Sequence, residues 1–295
     1  MAKNVLLLGN GINDVTNSYK WMDLINDIVK FLDIKNINGL KEKPFPLLYE
    51  EIFLTNLRGK KVSEREIKSF IAEKIKRLTP NKVHELIRSL DPTDIITTNY
   101  DYTIEKSIGG SSGVLNDKGV VKQNLYSIFR HTEVNGCKVW HIHGELNRPN
   151  SILLGYEQYS GQLQQMRNYI ALGTGESYKK QFPPLIKQLK KGKVDNNSWL
   201  DIFFTQDIHI IGLSLDFIEL DLWWLLTFRA RRILEKRFSI TNKIVYYYPS
   251  PLEKKIQSKL EILRANEVKT EAYGKSHNID YYQDVFNAVQ KSSGR

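Results

Sequence analysis

The sequence predicts an α/β protein, a Rossmann-like parallel sheet with helices on both faces plus a small helical module, in a single domain spanning residues 1–295. Three observations carry this. A short apolar run, Val5 to Leu8, ends abruptly in Gly9-Asn10-Gly11, as a buried parallel strand does when it feeds a tight turn. Apolar residues then recur at helical spacing at Trp21, Leu24, Ile25, Ile28, Phe31 and Leu32, giving strand, turn and helix in order. Further strand-like runs at 94–98, 138–142, 208–213, 243–248 and 268–273 are mostly separated by helical stretches, the pattern of crossover-connected parallel strands.

The helical module is expected as an insertion at about 40–90, where only helices are legible: 45–57, 63–78 and 82–90. Ser63 and Glu66 have the spacing of a capping box, and the helix at 82–90 is expected to start with Thr79 as cap and Pro80 in its first turn. The longest helical candidate is 216–238, whose first half, with Leu220, Trp223, Trp224, Leu225 and Leu226, is apolar enough to be largely buried. Gly109-Gly110-Ser111-Ser112-Gly113 reads as a flexible loop without the Lys-Ser tail of a phosphate-gripping P-loop, and 187–197 as a polar surface connection. Ser292 to Arg295 has the composition of a frayed end.

With 295 residues, 41% of them hydrophobic, the chain can bury one large core or a main core with a small satellite. There is no run of about eighteen apolar residues and no signal-peptide pattern before the first strand, so a cytoplasmic chain without a membrane span is expected. Cys137, the single cysteine, excludes an intrachain disulfide and any multi-cysteine zinc site, and reads as a small apolar filler. The formal net charge of +10 attracts anions non-specifically, but much of the excess lies in lysine and arginine clusters at 187–193 and 229–237 that read as solvated faces. A dedicated nucleic-acid site is therefore not expected.

Four short segments, each near the end of a predicted strand, carry the candidate chemistry. Gly9-Asn10-Gly11-Ile12-Asn13 has the first two glycines of a dinucleotide fingerprint, one for the turn and one for close approach of a pyrophosphate, while Asp14 stands where the third would be. A plain tight turn explains it nearly as well. Thr97-Thr98-Asn99-Tyr100-Asp101 follows a strand whose C-terminal end is where open α/β sheets hold ligands; Asn99 and Asp101 are either ligand-binding or turn and cap formers. His141-Ile142-His143-Gly144-Glu145 places two histidines on one face by alternation, as structural groups or with His143 as a general base. A metal pair lacks further ligands. Gly212-Leu213-Ser214 is a second glycine turn, able to cradle a phosphate or to form a simple turn before a helix.

In this order, the four segments resemble the motifs of sirtuins, and in particular the sirtuin-like NAD-hydrolase domains of bacterial anti-phage defence systems, over about the first 250 residues. Two departures stand out: the four-cysteine zinc ribbon of protein-deacetylating sirtuins cannot be built, and their aspartate-phenylalanine-arginine element is missing. The resemblance implies an NAD glycohydrolase that releases nicotinamide and ADP-ribose without zinc or another metal and depletes NAD in abortive infection. It implies Gly9, Gly11, Ile12 and Asn13 around the phosphates and ribose, and Gly212 and Ser214 at the far phosphate. Asn99 would orient the ribose or the attacking water, Asp101 would bind the carboxamide or ribose, and His143 would take a proton. It also implies control through a homo-oligomer, or through a separate sensor, ATPase or Argonaute-like partner. The other reading is a non-catalytic module that binds NAD or ADP-ribose and relays its level. Tyr156 and Tyr159 are expected to pack rather than to line the pocket.

Overall fold

The computed structural model describes residues 4–15, 21–35, 37–40, 42–110, 115–175, 178, 180–236, 238–274 and 276–292. Its strands are β1 (Asn4–Leu8), β2 (Asp94–Thr97), β3 (Asn116–Lys118), β4 (His131–Val134), β5 (Cys137–His141), β6 (Asp207–Ile211), β7 (Ile244–Pro249) and β8 (Val268–Tyr273). They form one 8-stranded sheet in the order β3-β4-β5-β2-β1-β6-β7-β8. From β5 to β8 every neighbouring pair is parallel. The order β5-β2-β1-β6-β7-β8 is the doubly wound arrangement in which the chain builds outward from β1, returns, and builds outward on the other side. The crevice at that reversal, between β1 and β6, is where such sheets bind ligands.

The helices are α1 (Gly11–Asp14), α2 (Trp21–Phe31), α3 (Phe45–Arg58), α4 (Glu64–Ile75), α5 (Lys82–Ser89), α6 (Thr103–Gly109), α7 (Tyr156–Leu172), α8 (Leu185–Lys190), α9 (Trp199–Thr205), α10 (Leu220–Leu234), α11 (Gln257–Ala265) and α12 (Ile279–Ser292). Strand alternation assigns them to layers. Val5, Leu7, Ile96, Trp140, Ile208 and Ile210 project to one face, where α7 to α11 supply Tyr169, Trp199, Phe203, Leu225 and Leu260. Leu6, Leu8, Ile95 and Val139 project to the other, against Val83 and Ile87 of α5, Ile104 of α6 and Tyr282, Val285 and Phe286 of α12. Fully covered strands of this kind are apolar on both faces, which is why they read as continuous runs.

A third core joins Leu24, Ile25 and Ile28 of α2 to Leu48 and Ile52 of α3 and Ile67 and Ile71 of α4. The helical module is thus α2 to α4, while α5 packs on the sheet; the segment at 40–90 has different bounds because α2, though read as part of the opening β-turn-α unit, turns its apolar stripe toward the module. The Ser63–Glu66 capping box is present. α5 is capped by Asn81 rather than Thr79, the Asn81 carboxamide oxygen accepting from the amides of Val83 and His84, so Pro80 precedes the helix.

Other sequence expectations are corrected. The longest described helix is α7, with 17 residues, whereas the candidate at 216–238 shortens to the 15 residues of α10 because Leu215 adopts a φ of 50° and the chain stays irregular to Glu219. The antiparallel β3–β4–β5 ribbon was not legible, and within 187–197 the chain is helical to Lys190. Arg229 is not part of a solvated basic face: its guanidinium is buried, bonded to the backbone oxygen and side chain of Asn242 and to the Glu267 carbonyl. Ser111 to Gly113 and Ser293 to Arg295 lie outside the described residues. Among the described residues, no helix is long and apolar enough to cross a membrane.

Candidate active site

The C-terminal ends of β1, β2, β5, β6 and β7 converge on a cleft of about 1010 Å³ that is closed on one side by Ile25, Leu48 and Ile75 of the helical module. Ligand sites typically span roughly 300–1,000 Å³, so there is room for a dinucleotide. Asn10, Gly11, Asn99, Asp101, His143, Gly212 and Ser214 all line it.

The glycine turns are packed against each other. A Cβ on Gly9 would lie 2.5 Å from the Leu213 backbone, and one on Gly11 would lie 2.7 Å from the Gly212 carbonyl oxygen. The Gly11 amide donates to that oxygen at 2.8 Å, and Gly212 takes a φ of 65°. Glycine is therefore required here first by the backbone-to-backbone contact of the β1 and β6 turns at the switch point. Ile12 is buried in the sheet-face core and Gly9 lies behind the turn, so neither lines the cleft. Asn13 is also buried, and acts through Asp101, donating from Nδ2 to Asp101 Oδ2 at 3.0 Å. No helix follows Ser214 directly; an irregular stretch to Glu219 intervenes.

Asp101 is engaged on both oxygens, since Oδ1 accepts from the amide and hydroxyl of Thr103 at the start of α6. Its sequence reading as a turn former is thus realised, with Tyr102 rather than Asp101 at the N-cap position of α6, while it still borders the cleft. Asn99 differs. Its amide donates to Thr97 Oγ1 at 3.1 Å and its carbonyl accepts from His141 Nδ1 at 2.7 Å, which fixes the backbone. Its side chain is held loosely, Nδ2 lying 3.5 Å from the Gly9 oxygen and Oδ1 being buried with no hydrogen-bond partner. A buried acceptor without a partner costs about 1–3 kcal/mol, so this oxygen is available to a hydroxyl or a water.

The two histidines take opposite roles, and alternation along the strand does not keep them on one face because β5 ends at His141. His141 turns toward α6, where Nε2 meets Glu105 Oε1 at 2.7 Å while Nδ1 meets the Asn99 carbonyl. Both partners only accept, so both ring nitrogens donate and the ring is cationic. Burial pulls its pKa down, but the Glu105 charge and hydrogen bond, with Glu145, push it up to about 9. His143 turns to α10 and α7: Nε2 lies 2.9 Å from Asp221 Oδ2, and the Tyr159 ring stands edge-on at 5.1 Å. A carboxylate accepts only, so the Asp221 contact fixes the proton on Nε2 and leaves the Nδ1 lone pair as the basic nitrogen. Burial lowers the His143 pKa, but the Asp221 charge and hydrogen bond, helped by Glu219, outweigh it and the net shift is upward.

Sequence reasoning missed Asp221 and Glu219, and favoured packing over pocket lining for Tyr159, which does both; Tyr156 is exposed. Asp221 is 78 residues from His143 and reads as an acidic residue in the first turn of a helix. Helical periodicity from Leu222, Leu225 and Leu226 would have placed Asp221 next to the buried stripe, which is the only available signal. Among the described residues, no group of three or more His, Cys, Asp or Glu is placed to hold a metal ion.

The family model of the SIR2-like domain matches residues 93–191. That segment carries Asn99, Asp101, His143 and Tyr159, and both glycine turns lie outside it. No curated protein matches the chain. Residues 93–191 are thus similar to a SIR2-like domain, carried here on a Rossmann-like α/β sheet, and the similarity suggests an NAD-related activity.

Proposed function

We propose that this sirtuin-like chain is an NAD glycohydrolase, in which His143, oriented by Asp221, and Asn99 direct a water onto the ribose carbon that carries nicotinamide. The observation that carries the reading is the meeting, in one dinucleotide-sized cleft at the sheet's switch point, of an oriented basic nitrogen and a buried carboxamide oxygen without a partner. The fit to NAD rests on these features and on the polar turns at the strand ends. Gly11, Gly212 and Ser214 border the space suited to the diphosphate, and the module side supplies an apolar wall.

The bond between the nicotinamide nitrogen and ribose C1′ breaks with its electron pair going to the ring nitrogen, so the cationic ring leaves as a neutral molecule. Water adds to C1′ and gives its proton to His143 Nδ1, leaving ADP-ribose. The chain's contribution is position and electrostatics: Asn99 Oδ1 accepts from a ribose hydroxyl or the water, and Asp221 stabilises the imidazolium that forms. Asp101 acts through Asn13 and the start of α6, keeping the β2 turn in place. No step needs a metal.

From the resemblance, we infer a cytoplasmic setting in bacterial anti-phage defence, where such an activity is held off until a trigger arrives, through a homo-oligomer or a separate sensor, ATPase or Argonaute-like partner. The test is chromatography of nicotinamide and ADP-ribose after incubation with NAD, beside Asn99→Ala and His143→Ala with folding and NAD affinity measured for each. Release lowered by about 10²–10⁴-fold in both variants is expected, the range for loss of general-base catalysis. Full activity in the His143 variant would end the reading, and NAD binding without turnover, in the presence of the genomic neighbours' products, would replace it by a binding module.

A further inference from the structure

The cleft also holds a buried acid that the proposed hydrolysis does not use. Glu219 precedes α10, two residues before Asp221, and its amide is tied to the Asp216 carbonyl at 3.0 Å. Its side chain lines the cleft, and Oε2 is buried without a hydrogen-bond partner. The charged groups that face it are His143 from the β5 end, Asp221 of α10, Asp216 in the preceding loop and Lys259 of α11. Around it stand Tyr100, Tyr159 and Tyr246, whose hydroxyls it helps hold in the neutral form.

We propose that Glu219 is the group that selects the oxidised dinucleotide: it faces the cationic nicotinamide ring and ionises as that ring enters, and its carboxylate then stabilises the positive charge that passes to the ribose carbon. The inference rests on the NAD reading. An isolated carboxylate in such a site is costly, and protonation is the usual escape. Burial, reinforced by Asp221 and Asp216 and opposed by His143 and Lys259, pushes the Glu219 carboxyl up to about 8, so the ligand-free cleft holds the neutral acid. A pyridinium supplies the missing countercharge. NADH has nearly the same shape with a neutral ring and offers none. Carboxylates beside a sugar carbon that becomes oxocarbenium-like serve the same purpose in glycoside hydrolysis.

Titration calorimetry of the full chain with NAD and with NADH, in buffers of different ionisation enthalpy, tests this. Below pH 8, NAD is expected to displace close to one proton more than NADH does, and its affinity relative to NADH to rise toward tenfold per pH unit, levelling off above that pH. His143 lines the same cleft and feels the same ring charge, so its share of the displaced proton is the part that persists in Glu219→Gln. Glu219→Gln is expected to remove most of the extra proton and to bring the two affinities closer together, whereas Glu219→Asp, which keeps the charge, retains part of the preference. Equal proton release and equal affinity for the two dinucleotides in the wild-type chain would overturn the proposal while leaving the NAD reading intact. Failure of the wild-type chain to bind either dinucleotide would instead sink the NAD reading itself. The wild-type comparison decides even if the Gln variant does not fold.

Discussion

His141 and His143 are two residues apart, and the polar clusters built on them differ in one respect: whether the protein itself uses both ring nitrogens of the histidine or leaves one on the cleft. Around His141, both ring nitrogens are bonded and Glu145 accepts from Tyr102 and pairs with buried Arg130, although Glu105 Oε2 and Arg130 Nη1 are buried there without a hydrogen bond, away from the cleft. Around His143, only Nε2 is bonded, and Asp221 Oδ1, Asn99 Oδ1 and Glu219 Oε2 are buried without partners. Low dielectric strengthens a completed network and penalises an incomplete one. The doubly bonded His141 ring therefore fixes the chain, including the backbone of Asn99, whereas His143, with Asn99 and Glu219 on the cleft, holds back interactions for a ligand.

The largest expected difference follows from breaking each cluster. Glu105→Gln removes the charge that matches a buried imidazolium, and loss of one partner of a buried pair costs about 3–5 kcal/mol. Urea denaturation is expected to show a loss of that order. His141 has a raised folded pKa, so its contribution is fully present below its unfolded pKa of about 6.5 and is lost as pH rises through about 9. Wild-type stability should accordingly fall over that alkaline window, and the slope should flatten in Glu105→Gln. An unchanged slope would mean that His141 is not the cation the geometry makes it.

Asp221→Asn is the matching change in the second cluster. It keeps the shape and removes the charge, so NAD affinity is expected to hold while turnover falls by something like 10²-fold, within the range for impaired general-base catalysis. Because Asp221 raises the His143 pKa, its removal should also move the acidic limb of the rate profile, where the base becomes protonated, to lower pH. A merely structural role for Asp221 would lower stability without moving that limb. The comparison would be inverted if this variant lost more stability than Glu105→Gln.

The difference between the clusters also explains what the sequence revealed. Strands covered on both faces show as apolar runs, and their C-terminal ends mark the ligand crevice whatever the chain does next, so Asn99, His143 and the two glycine turns were visible in place. The partners that decide their roles were not. Asp221 reaches His143 across 78 residues, Glu105 reaches His141 across 36, and neither spacing has a local signature. The β3–β4 ribbon escaped because β3 is three exposed residues with no alternation to read. Arg229 escaped because a buried guanidinium satisfied by two carbonyls looks, in sequence, like any helix-face arginine. The glycines of the first turn were legible as a turn, but the close contact that requires them comes from a strand some two hundred residues away.

The smallest expected effect lies at the join between the clusters. The Tyr159 hydroxyl donates to Tyr100, and Tyr100 donates to the Leu153 carbonyl at 2.7 Å. Leu153 in turn donates its amide to the His143 carbonyl at 2.9 Å, so this chain of bonds ends on the peptide that carries the base. Tyr159→Phe removes one buried hydrogen bond and leaves the ring edge-on to His143. The expected cost is about 0.5–1.5 kcal/mol of stability with turnover nearly unchanged, because the hydroxyl supports the backbone and the ring orients the imidazole. Tyr159→Leu deletes the edge contact as well, worth about 0.5–1.5 kcal/mol beyond its buried area. Steady-state rates for the two variants, measured beside their urea midpoints, separate the parts. If the Phe variant lost as much turnover as the Leu variant, the hydroxyl chain rather than the ring would be what holds His143 in register.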